Sequence, residues 1–254
     1  MGEPARYLYA VCRGLAPSAL DGVRGLDGGR LEVLGVLDLE AVVSTVDLDE
    51  FGEDGLRANL ERLDWVERTA RGHDAVVQAC AGAAPTAPMR LATVCLDDES
   101  VRLRLQEHYP DLAEALGRIE GRKEWSVKVY EHPSAQEEPE AAEPAALGGA
   151  AYLRRKKSAA VERRVAREQA TAAADAVDRE LCGLAVAARH LRPQDPRLAG
   201  FGGTMLLNGA YLVDDVSTRS FTGRVAELVA AFPDVSIACD GPWPPYSFAT
   251  LEGP

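Results

Sequence analysis

Between Trp125 and Cys239 the apolar residues change period in a set order: alternation, a helical repeat, two further alternating runs, a helical repeat and a last alternation. Glu124-Trp-Ser-Val-Lys-Val-Tyr-Glu131 puts Trp125, Val127 and Val129 on one face and Ser126, Lys128 and Tyr130 on the other, as a strand does. A long helix begins at Ala150. Its apolar positions are Tyr152, Leu153, Ala160, Val161, Val165, Ala172, Ala176, Val177 and Leu181, and the many alanines favour helix and permit close approach. Ala185–Leu191 and Thr204–Val213 read as strands. Ser217–Phe232 is helical, with Phe221, Val225, Leu228, Val229 and Phe232 on one face, and Val235–Cys239 is the closing strand. Strand–helix–strand–strand–helix–strand is the split βαβ, ferredoxin-like order. Right-handed crossovers place both helices on one face of a four-stranded antiparallel sheet and leave the other face open unless something covers it.

The first half has a different pattern. Arg6–Cys12, Leu31–Leu37, Leu39–Val46 and Met89–Leu96 read as strands of a second, small sheet, with Asp38 at one junction. Leu56, Leu60, Leu63 and Val66 recur at helical spacing, Gly72 is expected to interrupt that helix, and His73-Asp74 opens another piece carrying Val76, Val77 and Cys80. Asp97-Asp98-Glu99-Ser100 looks like a capped helix start, and the helix that follows is expected to bend or split at Pro110. The chain of 254 residues therefore reads as two α+β domains. These are an N-terminal one over 1–121 and a ferredoxin-like one over 122–239, the latter containing an acidic, Pro-rich mobile loop at 132–149. A tail over 240–254 completes the chain.

That tail opens with Asp240-Gly-Pro-Trp-Pro-Pro-Tyr-Ser-Phe248. Three prolines exclude an interior strand or a helix interior, yet Trp243, Tyr246 and Phe248 need burial. The expected solution is an extended clip docked at the domain interface, the alternative a contact surface for another chain.

Charge and chemistry narrow the function. The net charge of −12 is segregated: residues 1–131 carry −9, residues 132–149 add four Glu, and residues 150–254 carry +1. Such acidity argues against a general nucleic-acid binder. The basic residues Arg154, Arg155, Lys156 and Lys157 cluster on the long helix without interleaved aromatics, which suits a solvated face or a protein contact. No apolar run approaches a membrane span, and no secretory leader is visible. Five scattered Cys with apolar neighbours indicate buried thiols in a reducing cytoplasm and no metal site. His73, His108, His132 and His190 each stand alone in sequence, with no nucleophile motif and no phosphate loop. An enzyme using His73 or His108 is the alternative that structure must address, together with a ligand-binding module on an open sheet face.

A set of short motifs runs in order along the chain: Tyr7-Leu-Tyr-Ala-Val11, Leu63-Asp-Trp65, His73-Asp-Ala-Val76, Pro88-Met-Arg-Leu-Ala-Thr-Val94, Glu124-Trp-Ser-Val-Lys-Val-Tyr130, Gly149-Ala-Ala-Tyr-Leu153, Asn208-Gly-Ala-Tyr-Leu-Val213 and Gly241-Pro-Trp-Pro-Pro-Tyr-Ser-Phe248. In these the chain resembles the gas-vesicle accessory proteins of the F/L type. It departs from them at Leu91 and Ala92, where the family usually has an aromatic residue and Gly, and at Ser126, which replaces a common Gly. The resemblance implies a cytoplasmic, non-enzymatic assembly role without cofactors, in contact with the small apolar shell protein and with other accessory proteins. Arg154, Arg155, Lys156 and Lys157 are then the candidate partner contacts.

Overall fold

The computed structural model describes residues 2–132, 149–193 and 203–249, and the side chains of 149–153 are left aside. Apart from its end residues, the acidic stretch 132–149 lies outside the described residues, as does most of the Gly200–Gly203 turn. The chain divides into two compact units, one formed by Met1–Glu124 with Pro242–Pro254 and one by Trp125–Gly241. Both are α+β, each with its own antiparallel sheet.

In the first unit β1 (Pro4–Cys12) is the central strand. Tyr7 through Cys12 are all fully buried, which the continuous apolar run requires, since both faces must be covered. It pairs antiparallel with β3 (Leu39–Asp47), from Pro4 opposite Asp47 to Cys12 opposite Glu40, with a bulge between Leu8 and Ala10. β2 (Glu32–Val36) joins β3 through the tight turn at Leu37-Asp38. On the other side β1 receives β4 (Thr86–Pro88) and, further along, β5 (Val94–Cys95). The expected strand Met89–Leu96 is thus a turn with a short strand on each side. Ala92 is the reason: its φ of 62° lies in the left-handed region and breaks the extended run.

Two short helices, α1 (Leu48–Phe51) and α2 (Glu53–Asn59), lead into α3 (Leu63–Ala81). The helix break therefore falls at Leu60–Arg62 and not at Gly72, which lies inside α3. A side chain at Gly72 would meet Leu26 Cδ2 at 2.8 Å, so glycine serves here for close packing. Trp65, Thr69, His73, Val76, Val77 and Cys80 form the buried stripe of α3 against Tyr7, Tyr9, Cys12 and Val42. Leu63, expected on that stripe, is 85% exposed. α4 (Asp98–Glu107) and α5 (Tyr109–Ile119) split before Pro110, which sits in the first turn of α5 where its missing N–H costs nothing. Asp97 caps α4, accepting from the Ser100 amide at 2.7 Å. Arg6 binds this corner together, donating to Asp98 at 2.6 Å, Glu32 at 2.7 Å and Thr45 at 2.8 Å.

The second unit follows the order β6 (Arg122–Glu131), α6 (Gly149–Cys182), β7 (Ala187–His190), β8 (Met205–Asp214), α7 (Thr218–Ala231), β9 (Val235–Trp243). The strands lie side by side as β7-β8-β6-β9, with β7 antiparallel to β8. Trp125, Val127, Val129, Tyr211 and Val213 meet α6 and α7 through Ala170, Ala174, Val177, Leu181, Phe221, Val225 and Leu228. Tyr130, Ala210 and Leu212 on the other side of β6 and β8 are also buried, with Ser126 and Lys128 half-buried beside them. β9 runs through Pro242 to Trp243, four residues past the expected end. It can do so because it is an edge strand, where proline removes no interior ladder bond.

Candidate functional site

Three sets of residues merit comparison: the basic cluster of α6, the aromatic tail and His73. In α6 the buried positions Ala170, Ala174, Val177 and Leu181 recur at spacings of four, three and four, the core-facing stripe of a helix. This stripe differs from the one expected, since Val161 and Val165 are 46% and 41% exposed. At 100° per residue they point about 180° and 140° away from Ala170. From Arg154 to Gln169 every residue is exposed except the half-buried Ala159. Arg154, Arg155, Lys156 and Lys157 therefore lie on a helical stretch accessible from all sides. Local pairs line it: Ser158 donates to Glu162 at 2.9 Å, and Arg164 faces Glu168 at 3.7 Å.

The tail is held within the first unit. After Pro244-Pro245 the chain forms the short helix α8 (Tyr246–Ala249). The Tyr246 hydroxyl donates to Asp74 at 3.1 Å, and burial pushes its ionisation upward. Ser247 gives both its amide (2.8 Å) and its hydroxyl (2.6 Å) to the buried carboxylate of Glu124. Phe248 and Ala249 are buried. Trp243, expected to pack with Tyr246 and Phe248, is instead 44% exposed at the end of β9. Asp74 and Glu124 anchor the tail. In the sequence Asp74 follows His73 at the start of an expected helical piece and Glu124 heads an expected strand, and neither position carries a local sign of its tail partner. The tail and the basic cluster belong to different units.

His73 is 4% exposed on the inner face of α3. Its Nδ1 lies 3.0 Å from the Tyr7 hydroxyl, which in turn accepts from the Ala92 amide at 3.0 Å. Its ring packs against Tyr7 and Tyr9, and burial holds its pKa below the ordinary 6.5. A shallow cavity nearby is lined by Gly25, Leu26, Asp27, Phe51, Arg68, Thr69 and Gly72, without His73. His73 is thus a core residue, hydrogen-bonded to Tyr7 and packed against Tyr7 and Tyr9. The other histidines, isolated in sequence, also find partners in space: His132 with Ser236 at 2.9 Å and His190 with Asp178 at 3.0 Å. Asp178 also accepts from the Tyr211 hydroxyl at 2.7 Å and so ties α6 to β7 and β8. His108 sits at the junction of α4 and α5.

Cys12, Cys80 and Cys95 are buried thiols as expected, whereas Cys182, the last residue of α6, is exposed and Cys239 is half-buried. Among the described residues no group of His, Cys, Asp and Glu is arranged to hold a metal ion, and no helix is long and apolar enough to cross a membrane.

Comparison with known proteins decides what kind of chain this is. The family model described as "Gas vesicle synthesis protein GvpL/GvpF" matches residues 5–250. Gas vesicle protein L of Streptomyces sp. (strain CB03234) is 42% identical over 251 residues, which is 97% of this chain and 93% of that protein. This chain belongs to the GvpL/GvpF family. Gas vesicle protein F of the same Streptomyces strain is more distant, 26% identical over 95% of this chain and 98% of its own length. The fold agrees with the family assignment. The crystal structure of gas vesicle protein GvpF from Anabaena sp. PCC7120 superposes with a TM-score of 0.70 at 19% identity, covering 98% of both chains. That of GvpF from Microcystis aeruginosa gives 0.65 at 19% identity, over 97% of this chain and 99% of its own. In this GvpL/GvpF protein residues 154–169 of α6 are exposed save the half-buried Ala159, whereas Phe248 and His73 are buried.

Proposed function

We propose that this protein is a non-enzymatic, cytoplasmic assembly factor that holds the small apolar shell protein of the gas vesicle, together with other accessory proteins, while the vesicle forms. Membership in a family of gas vesicle synthesis proteins supports the setting. The observation that carries the binding role is the stretch Arg154–Gln169, helical and exposed nearly all round, with Arg154, Arg155, Lys156 and Lys157 at its start. This stretch extends α6 beyond its packed half, Ala170 to Leu181, and leaves a long helical face along which a partner could lie. The strand order β7-β8-β6-β9 supports reading the second unit as ferredoxin-like, a scaffold from which α6 extends. High net charge keeps such a handler of an apolar subunit in solution.

Neither alternative has support of this kind. A ligand-binding module needs an open sheet face, and Tyr130, Ala210 and Leu212 are buried. An enzyme using His73 needs substrate access, and His73 is enclosed by Tyr7 and Tyr9.

Charge reversal at Arg154, Arg155, Lys156 and Lys157 is expected to weaken capture of the co-expressed shell protein, measured by affinity co-purification. Unchanged capture would remove these residues from the contact. Normal vesicles after deletion of the gene, with no association between the two proteins, would end the reading as a whole.

A further inference from the structure

We infer that this chain associates with a second copy of itself head to tail, through two complementary surfaces that the fold leaves uncovered. One is the exposed half of α6. Over residues 154–168 it carries seven Lys/Arg against two Glu, a net of +5, and Val161 and Val165 stand one turn apart on the side turned away from the sheet. The other lies in the first unit. Residues 47–71 carry eight Asp/Glu against four Arg, a net of −4, with Asp47 and Glu50 half-buried, and Leu60 and Leu63 lie within this acidic stretch, 54% and 85% exposed.

Each surface pairs charge of one sign with a small apolar centre, the composition of a protein contact with an apolar middle and a polar rim. Leu60 and Leu63 flank the break between α2 and α3, next to the buried Trp65, yet neither is used by the core. Val161 and Val165 likewise continue the apolar pattern of α6 without being used by it. Two copies with a net charge of −12 repel each other when that charge is evenly spread. Segregation into an acidic stretch of −4 and a basic stretch of +5 gives a relative orientation in which they attract. The two patches differ, so the contact is heterologous, and each added copy leaves one free patch of each kind at the ends of the assembly. It shares the surface of α6, residues 154–157 included, with the proposed shell-protein contact, and its test leaves those four residues unchanged so that the two readings fail separately.

Sedimentation velocity on the full chain, over a range of concentrations at low and high salt, reads the association directly. The mean mass is expected to rise above the single-chain 27.2 kDa with concentration and to return to it in high salt. The paired substitutions Val161→Ser with Val165→Ser, and Leu60→Ser with Leu63→Ser, are each expected to give a monomer with an unchanged circular dichroism spectrum. Mixed in equal amounts, the two variants should form a two-chain complex and nothing larger, since each retains the patch that the other lacks. A wild type that is monomeric at every concentration overturns the inference. So do variants that associate like the wild type, or a mixture that stays monomeric. Cross-links between the two patches that form only within one chain, in a mixture of isotopically light and heavy protein, overturn it as well.

Discussion

Ala92 occupies a backbone position suited to glycine. Its φ of 62° brings Cβ against the backbone, a cost of about 1–2 kcal/mol for an L-residue, and its amide must stay there to reach the Tyr7 hydroxyl. Ala92→Gly is expected to raise stability by about 0.5–1 kcal/mol in urea unfolding, the relief of strain exceeding the added freedom of the unfolded chain. A loss of stability would show that the conformation is not strained. His73 gives a pH dependence. Its folded pKa lies below the ordinary 6.5 because burial disfavours the charged ring. The unfolded chain therefore takes up a proton that the folded protein refuses. Its contribution is fully present above about pH 6.5 and is lost as the pH falls below that value. His73→Asn should flatten the decline of stability between neutrality and the acid range where carboxylates take over. Identical slopes for both proteins would exclude His73 as the source.

Among the elements, α6 has two regimes in one continuous helix. Leu181 is fully buried among Val177, Tyr211 and Phe221, and Leu181→Ala is expected to cost about 2–5 kcal/mol through lost burial and the cavity left behind. Val165→Ala removes a half-exposed side chain and improves helix propensity, so its effect should stay within about 0.5 kcal/mol. Guanidinium unfolding of the two variants checks this contrast, and equal losses would mean that Val165 is packed. Sequence periodicity found the helix but not its buried face. An Ala-rich helix offers several stripes of similar hydrophobicity, and the choice between them belongs to the sheet. The same limit applies at Leu63, which fits the helical repeat of α3 yet faces water while Trp65 and Thr69 take the core. Strand limits failed for a different reason. Proline ends an interior strand but not an edge strand, and β9 shows its edge position only in the assembled sheet.

For the whole molecule the tail is the informative feature, because it returns the last residues of the chain to the first unit. Truncation after Trp243 removes the buried Phe248 and the two bonds from Ser247 to Glu124, about 3 kcal/mol together. The melting temperature should fall by about 6–12 °C in differential scanning calorimetry, and an unchanged melting curve would show that α8 contributes nothing. The sequence by itself determined the α+β class, the succession of strands and helices after Trp125, the split helix at Pro110 and, through its ordered motifs, the family. All of these depend on local periodicity, on backbone-restricting residues or on residue identity, which neighbours along the chain carry. Only the tertiary structure decided which stripe of α6 is buried, that His73 is enclosed by Tyr7 and Tyr9, and that Asp74 and Glu124 hold the tail. Tyr7 and His73, Glu124 and Ser247, and Asp74 and Tyr246 are 66, 123 and 172 residues apart, and no pattern along one stretch of chain records what will be packed against it.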